Sequence, residues 1–181
     1  MSARRELPGD RGREAEVARM VRVDHAGEYG ATRIYAGQRA VLGRGPSGEV
    51  LRHMQAQEER HLETFEALIA ERAVRPTALL PVWHVAGFAL GAATAALGER
   101  AAMACTVAVE EAIDAHYAGQ IAALGDEAPA LTETIERFRA EEGEHRDIAL
   151  AHDAERAPAY RLLSAAIRMG CRVAIALSER I

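Results

Sequence analysis

Apolar residues recur at three-to-four spacing over most of the chain, and nowhere does a period-two alternation hold long enough to suggest a strand. Val17, Val21, Ala31, Tyr35 and Leu42 mark a first helix from about Glu14 to Leu42, which the Gly- and Pro-rich stretch 43–48 ends. Leu51, Met54, Leu62, Phe65, Leu68 and Ile69 mark a second, from about Ser47 to Ala73, with Arg52, Glu59 and Glu63 largely on its other side. The stretch between Arg75 and Glu99 contains no charged residue. A fourth helix is predicted from about Arg100 to Leu124, a fifth from about Glu127 to Arg156, and a sixth from Pro158 to the C-terminus. The pattern is that of an all-α antiparallel four-helix bundle with two additional helices. Residues 1–15 are expected to be a charged, flexible lead-in and residues 16–181 one domain.

Composition narrows the chemistry. The 22 basic residues are all Arg, so Schiff-base, pyridoxal-phosphate and P-loop lysines are excluded. A net charge of −5 without a dense basic stripe argues against a nucleic-acid partner. Two cysteines, Cys105 and Cys171, form neither a disulfide framework nor a Cys-x-x-Cys site, and the cytosolic side is the expected compartment.

Two Glu-x-x-His motifs carry the candidate chemistry: Glu58 with His61, and Glu142 with His145. The i, i+3 spacing puts both side chains of each motif on one helix face. Chance alone supplies on the order of one such motif in a chain this rich in Glu, so context decides. Each motif follows a helix with a glutamate in the middle of its apolar stripe: Glu28 among Val21, Ala31 and Tyr35, and Glu110 among Met103, Val107, Ile113 and Tyr117. The chain therefore reads as two copies of one helix pair, and packing them together gathers six ligands. Four carboxylates facing a core cost several kcal/mol each unless protonated or neutralised. Two divalent ions would neutralise them, and oxygen donors with imidazole suit iron or manganese, iron being the better fit. Four Glu and two His from four helices is the donor set of ferritin-like di-metal bundles. His25, His116 and Tyr117 lie close to these stripes and are candidates for orienting the ligands by hydrogen bonds; Glu59, Glu63, Glu111, Glu141 and Glu144 read as solvated flanks or hydrogen-bond partners of the ligands.

The stretch from Val23 to Ala31, Val-Asp-His-Ala-Gly-Glu-Tyr-Gly-Ala, closely resembles the signature of the demethoxyubiquinone hydroxylase family. The similarity continues through Gln57 to His61, Val109 to Ile113, Phe138-Arg139 and on to Glu142 and His145, and includes His152 to Glu155 and Gly170 to Ile175. One departure is a shorter loop around Gly125 to Pro129. The resemblance implies a ferritin-like di-iron monooxygenase of ubiquinone biosynthesis with Glu28, Glu58, His61, Glu110, Glu142 and His145 as iron ligands. It further implies a polyprenyl quinone substrate whose ring is hydroxylated, dioxygen as co-substrate, and NADH or a reduced quinone as the source of electrons. Other ubiquinone-biosynthesis proteins are possible partners. No leader of the kind eukaryotic members carry precedes the domain, so a bacterial protein is expected.

The uncharged stretch 76–98 and a final helix in which Arg161, Arg168 and Arg172 accompany Leu162, Leu163, Ile167, Val173 and Leu177 fit a protein attached peripherally to the cytoplasmic face of the cell membrane. The stretch is long enough to span a bilayer, but its Ala and Gly supply little transfer energy, and interfacial or buried placement fits better. The competing readings are a ferritin or rubrerythrin-like protein that oxidises iron or reduces peroxide, and a metal-free helical scaffold. The absence of a Cys-x-x-Cys pair weighs against a rubrerythrin.

Overall fold

A computed structural model describes residues 12–181, and most of the expected lead-in, residues 1–11, lies outside them. Six helices and no strand occur among the described residues: α1 (Arg13–Leu42), α2 (Gly48–Glu71), α3 (Leu80–Ala96), α4 (Glu99–Leu124), α5 (Pro129–Ala151) and α6 (Tyr160–Ser178). Two boundaries differ from the sequence expectation. The fifth helix stops at Ala151, because Asp153 takes a left-handed conformation (φ 62°) and its carboxylate accepts a hydrogen bond from Arg100 at 3.2 Å; a short 3₁₀ turn follows. The sixth begins at Tyr160 instead of Pro158, after Ala159 turns left-handed (φ 53°).

The chain order generates two antiparallel hairpins, α1/α2 and α4/α5, which face each other as the two sequence copies predict. Contacts running Tyr35 to Glu110, Glu28 to Tyr117, and Asp24 to Gln120 set α4 antiparallel to α1. Two apolar clusters fill the bundle. Val17, Val21, Phe65, Tyr117, Ile135 and Phe138 pack at one end, and Tyr35, Leu51, Met54, Met103, Val107 and Ala149 at the other. The four glutamates sit between these clusters, so the burial of the apolar stripes fixes the depth of the polar site.

The two extra helices flank one side of the bundle. α3 lies parallel to α1 at a distance that glycine alone permits: a Cβ added at Gly91 would stand 1.9 Å from the carbonyl oxygen of Ile34, and one at Gly37 would stand 2.2 Å from that of Phe88. Gly98 (φ 111°) then reverses the chain into α4, a conformation that side chains with a Cβ rarely adopt. α6 runs alongside α4, where Arg168 donates to Glu111 at 2.6 Å, and antiparallel to α3, where Trp83 Nε1 donates to Ser178 Oγ at 3.1 Å. α1, α3, α4 and α6 line an apolar cavity of about 590 Å³ that opens to the surface.

Of the uncharged segment, Gly91, Thr94 and Ala95 are buried in α3, whereas Val82 and Val85 are exposed, Val85 to 67%. On α6, Leu162 (74%), Met169 (58%) and Val173 are likewise exposed. No helix among the described residues is long and apolar enough to cross a membrane.

Candidate metal centre

The structure brings all six sequence-predicted ligands together. Glu28 comes from α1, Glu58 and His61 from α2, Glu110 from α4, and Glu142 and His145 from α5, and each is at most 1% exposed. Their donor atoms form two overlapping groups, Glu28, Glu58, His61 and Glu142 on one side and Glu58, Glu110, Glu142 and His145 on the other, each within 4.8 Å. Glu58 and Glu142 belong to both groups, so their carboxylates would be available to either of two cations. Each outer pair, Glu28 with His61 and Glu110 with His145, comes from one helix hairpin.

Glu142 shows the arrangement most directly. One carboxylate oxygen lies 3.1 Å from His61 Nδ1 and the other 3.1 Å from His145 Nδ1. His61 Nδ1 also lies 3.5 Å from Glu28 Oε2, and His145 Nδ1 lies 3.1 Å from Glu58 Oε1 without hydrogen-bond alignment. Glu28 Oε2, both oxygens of Glu58 and Glu110 Oε2 are buried with no hydrogen-bond partner. Orphaned carboxylate oxygens in a buried core are costly, and cations are the partners that fit four of them converging on two imidazoles.

The electrostatics follow from burial. It drives the carboxyls of Glu28, Glu58 and Glu110 above the ordinary range, and the Glu142 charge adds to that upward push in all three. Burial presses on Glu142 in the same direction, but hydrogen bonds from His145 and His61 outweigh it and hold this carboxyl at about 2. Burial would lower His61, yet the hydrogen bond to Glu142 and the neighbouring Glu28 carboxylate raise it to about 11; His145 is also raised. Without cations, Glu28, Glu58, Glu110 and the two imidazoles thus favour their protonated forms, which cation binding would oppose.

Around this cluster the hairpins repeat one another. Tyr117 donates its hydroxyl to Glu28, and Tyr35 donates to Glu110 at 2.8 Å, each phenol lying seven residues after the glutamate of its own helix and serving the glutamate of the other. Tyr117 was among the sequence candidates. Tyr35 reads only as a core residue on its stripe, although the matching spacing to Glu28 and Glu110 carries the signal. His116 contacts Asp24 at 3.1 Å instead of a ligand, and Gln120 donates to the same carboxylate at 2.7 Å. His25 is buried with an unpartnered Nδ1. Glu141 contacts His61 Nε2 at 2.9 Å, and Gln57, which periodicity does not single out, contacts His145 Nε2 at 3.1 Å. Glu111 instead pairs with Arg168.

None of the six candidate ligands lines the cavity, but chain neighbours of two of them do. Gly27 and Ala31, on either side of Glu28, and Val109 and Ile113, on either side of Glu110, contribute to its wall.

Comparison with known proteins places the chain among hydroxylases of ubiquinone biosynthesis. The family model described as "Ubiquinone biosynthesis protein COQ7" matches residues 15–178. A 3-demethoxyubiquinol 3-hydroxylase of Rhodospirillum rubrum is 60% identical over 176 residues, covering 97% of this chain and 83% of that protein. The human NADPH-dependent 3-demethoxyubiquinone 3-hydroxylase, mitochondrial, is 58% identical over 171 residues (92% and 79%). The 5-demethoxyubiquinone hydroxylase, mitochondrial, of Saccharomyces cerevisiae is 44% identical over 180 residues (90% and 77%). These matches favour the hydroxylase reading over the ferritin or rubrerythrin-like alternative.

Proposed function

From the premise that the chain belongs to the COQ7 family of ubiquinone biosynthesis proteins, we propose that Glu28, Glu58, His61, Glu110, Glu142 and His145 hold two iron ions. The protein is a hydroxylase of ubiquinone biosynthesis, acting on the benzoquinone ring of a demethoxyubiquinone precursor. The observation that carries the metal assignment is the set of unpartnered, buried carboxylate oxygens converging on two Nδ1 atoms. Bound iron would pass to dioxygen two electrons drawn from NADH or a reduced quinone, so that one oxygen atom enters the ring and the other leaves as water with two protons.

The chain's own residues divide the remaining work. Tyr35 and Tyr117 each occupy one oxygen of Glu110 and Glu28, which leaves the second oxygen of each carboxylate for a cation. Phe138 stacks on the His61 ring at 4.0 Å between centroids and limits its rotation. The cavity accepts the quinone ring: its wall beside Glu28 is Gly27, Gly30 and Ala31, small enough for a flat ring to approach, and Val109 and Ile113 exclude water on the opposite side. Trp83, Ile175 and Ser178 mark the end of the cavity where α3 and α6 meet.

A polyprenyl tail is lipid-soluble, so the outward apolar residues Val82 and Val85 of α3 and Leu162, Met169 and Val173 of α6 rest on the membrane surface. Attachment is peripheral, on the cytoplasmic face. Exposed apolar residues on both helices that wall the cavity let the ring enter while the tail stays in lipid.

The test is the quinone profile of cells lacking the protein. The demethoxy precursor should accumulate and disappear when the wild-type chain is restored, but not with Glu110→Ala or Glu142→Ala. The purified wild type should contain two irons per chain. A normal quinone profile in the deletion strain would refute the function; full complementation by either variant would refute the ligand assignment.

A further inference from the structure

The two hairpins duplicate the polar groups of the site pair by pair: Glu28 with Glu110, Tyr35 with Tyr117, Glu58 with Glu142, and His61 with His145. The repetition extends one residue further, and there it breaks in charge. Gln57 immediately precedes Glu58, and Glu141 immediately precedes Glu142, so the two hold the same register position. Each reaches across to the histidine of the opposite hairpin: Gln57 Oε1 lies 3.1 Å from His145 Nε2, and Glu141 Oε2 lies 2.9 Å from His61 Nε2. In both histidines Nδ1 points to the carboxylates and Nε2 to this outer partner. One imidazole is therefore backed by a carboxylate and the other by an amide.

We propose that Glu141 is a positioning residue that makes the two ion positions unequal, the position formed with Glu28 and His61 binding the cation more tightly. The proposal rests on the assignment of the six residues as ligands. With Nδ1 on a cation, Nε2–H is the donor to the outer partner. A carboxylate acceptor draws that proton towards itself and increases the electron density that the ring offers at Nδ1, whereas an amide oxygen does so less. The carboxylate also adds a negative charge near one position only. Glu141 is 28% exposed while Gln57 is nearly buried, so solvent screens part of this charge. The expected effect is accordingly near the lower end of the 10- to 100-fold range typical of such outer partners, roughly tenfold in affinity.

The test is anaerobic titration of the metal-free protein with ferrous ion, followed by calorimetry. The wild type should bind two ions in steps separated by roughly tenfold or more. Glu141→Gln, which gives both histidines amide partners, should weaken the tighter step by about tenfold and bring the steps together. Gln57→Glu should bring them together from the other side by tightening the weaker step, a gain that mere structural damage does not produce. Mössbauer spectra of the iron-loaded protein give a second readout: two distinct iron environments in the wild type, converging in either variant. If Glu141→Gln fails to fold, Gln57→Glu carries the test alone. Two ions bound with equal affinity in the wild type, or Gln57→Glu weakening either step, would overturn the inference and leave the ligand assignment standing. A wild type that binds no iron would overturn both.

Discussion

Gly91→Ala tests whether the packing of α3 on α1 is set by close backbone approach. A Cβ at this position would lie 1.9 Å from the Ile34 carbonyl oxygen, 2.8 Å from its carbon and 3.1 Å from the Gln38 nitrogen. Ordinary contact begins near 3.4 Å, so α3 must retreat by about 1.5 Å, and the obstacle is helix backbone, which cannot rotate aside. Overpacking of this kind costs about 3 kcal/mol, and the better helix propensity of Ala returns up to about 1 kcal/mol. The net loss of about 2 kcal/mol corresponds to a fall of about 4–8 °C in Tm for a domain of this size. Gly119→Ala is the matched control: it is also within a helix, but exposed and with nothing within 4 Å of the added Cβ, so it should be neutral or stabilising by up to about 1 kcal/mol. Thermal unfolding followed by far-ultraviolet circular dichroism reads both. The cavity shares this interface through Ile34, Gly87 and Leu90, so Gly91→Ala should also change the handling of quinones. A Gly91→Ala protein as stable as wild type, or a Gly119→Ala protein equally damaged, would refute the reasoning.

Four further outcomes are expected. Tyr35→Phe deletes a buried donor to Glu110 and should cost about 1–3 kcal/mol in the metal-free protein, with a smaller loss once a cation occupies the carboxylate; denaturant unfolding with and without metal measures the difference. Raised carboxyls at Glu28, Glu58 and Glu110 and raised imidazoles at His61 and His145 hold protons that a cation must displace, so metal affinity should increase with pH, and binding heats should depend on the ionisation heat of the buffer; buffer-independent heats would contradict this. The same groups fix a sign for folding without metal. Protonated His61 contributes stability fully below its ordinary value of 6.5 and loses it towards about 11, and the raised carboxyls likewise favour the fold in their protonated form, so the metal-free protein should become less stable as pH rises across this window. Val85→Asp with Met169→Asp should abolish co-flotation with lipid vesicles while sparing turnover of a short-tailed quinone; equal loss with short- and long-tailed substrates would assign these residues to folding instead.

Legible in the residues alone were the helical class, the two copies of a helix pair and the burial of the six candidate ligands, because one glutamate in the middle of an apolar stripe can face only the core once the stripe packs. The end of α5 and the start of α6 were not legible there, because left-handed Asp153 and Ala159 interrupt a pattern that otherwise continues. The pattern also left the uncharged segment undivided. In the fold, Gly87 and Gly91 pack against α1 while Val82 and Val85 face outward, a split that follows from glycine contacts between helices far apart in the chain. Only the tertiary structure decided that Glu58 and Glu142 are shared by both donor groups, that Tyr35 serves Glu110 across the bundle, and that Glu141 stands behind one histidine and Gln57 behind the other. Periodicity reports which face of a helix a side chain occupies. Which atom it meets depends on the rotation and depth of two hairpins against each other, and those are set by the apolar clusters on either side of the site.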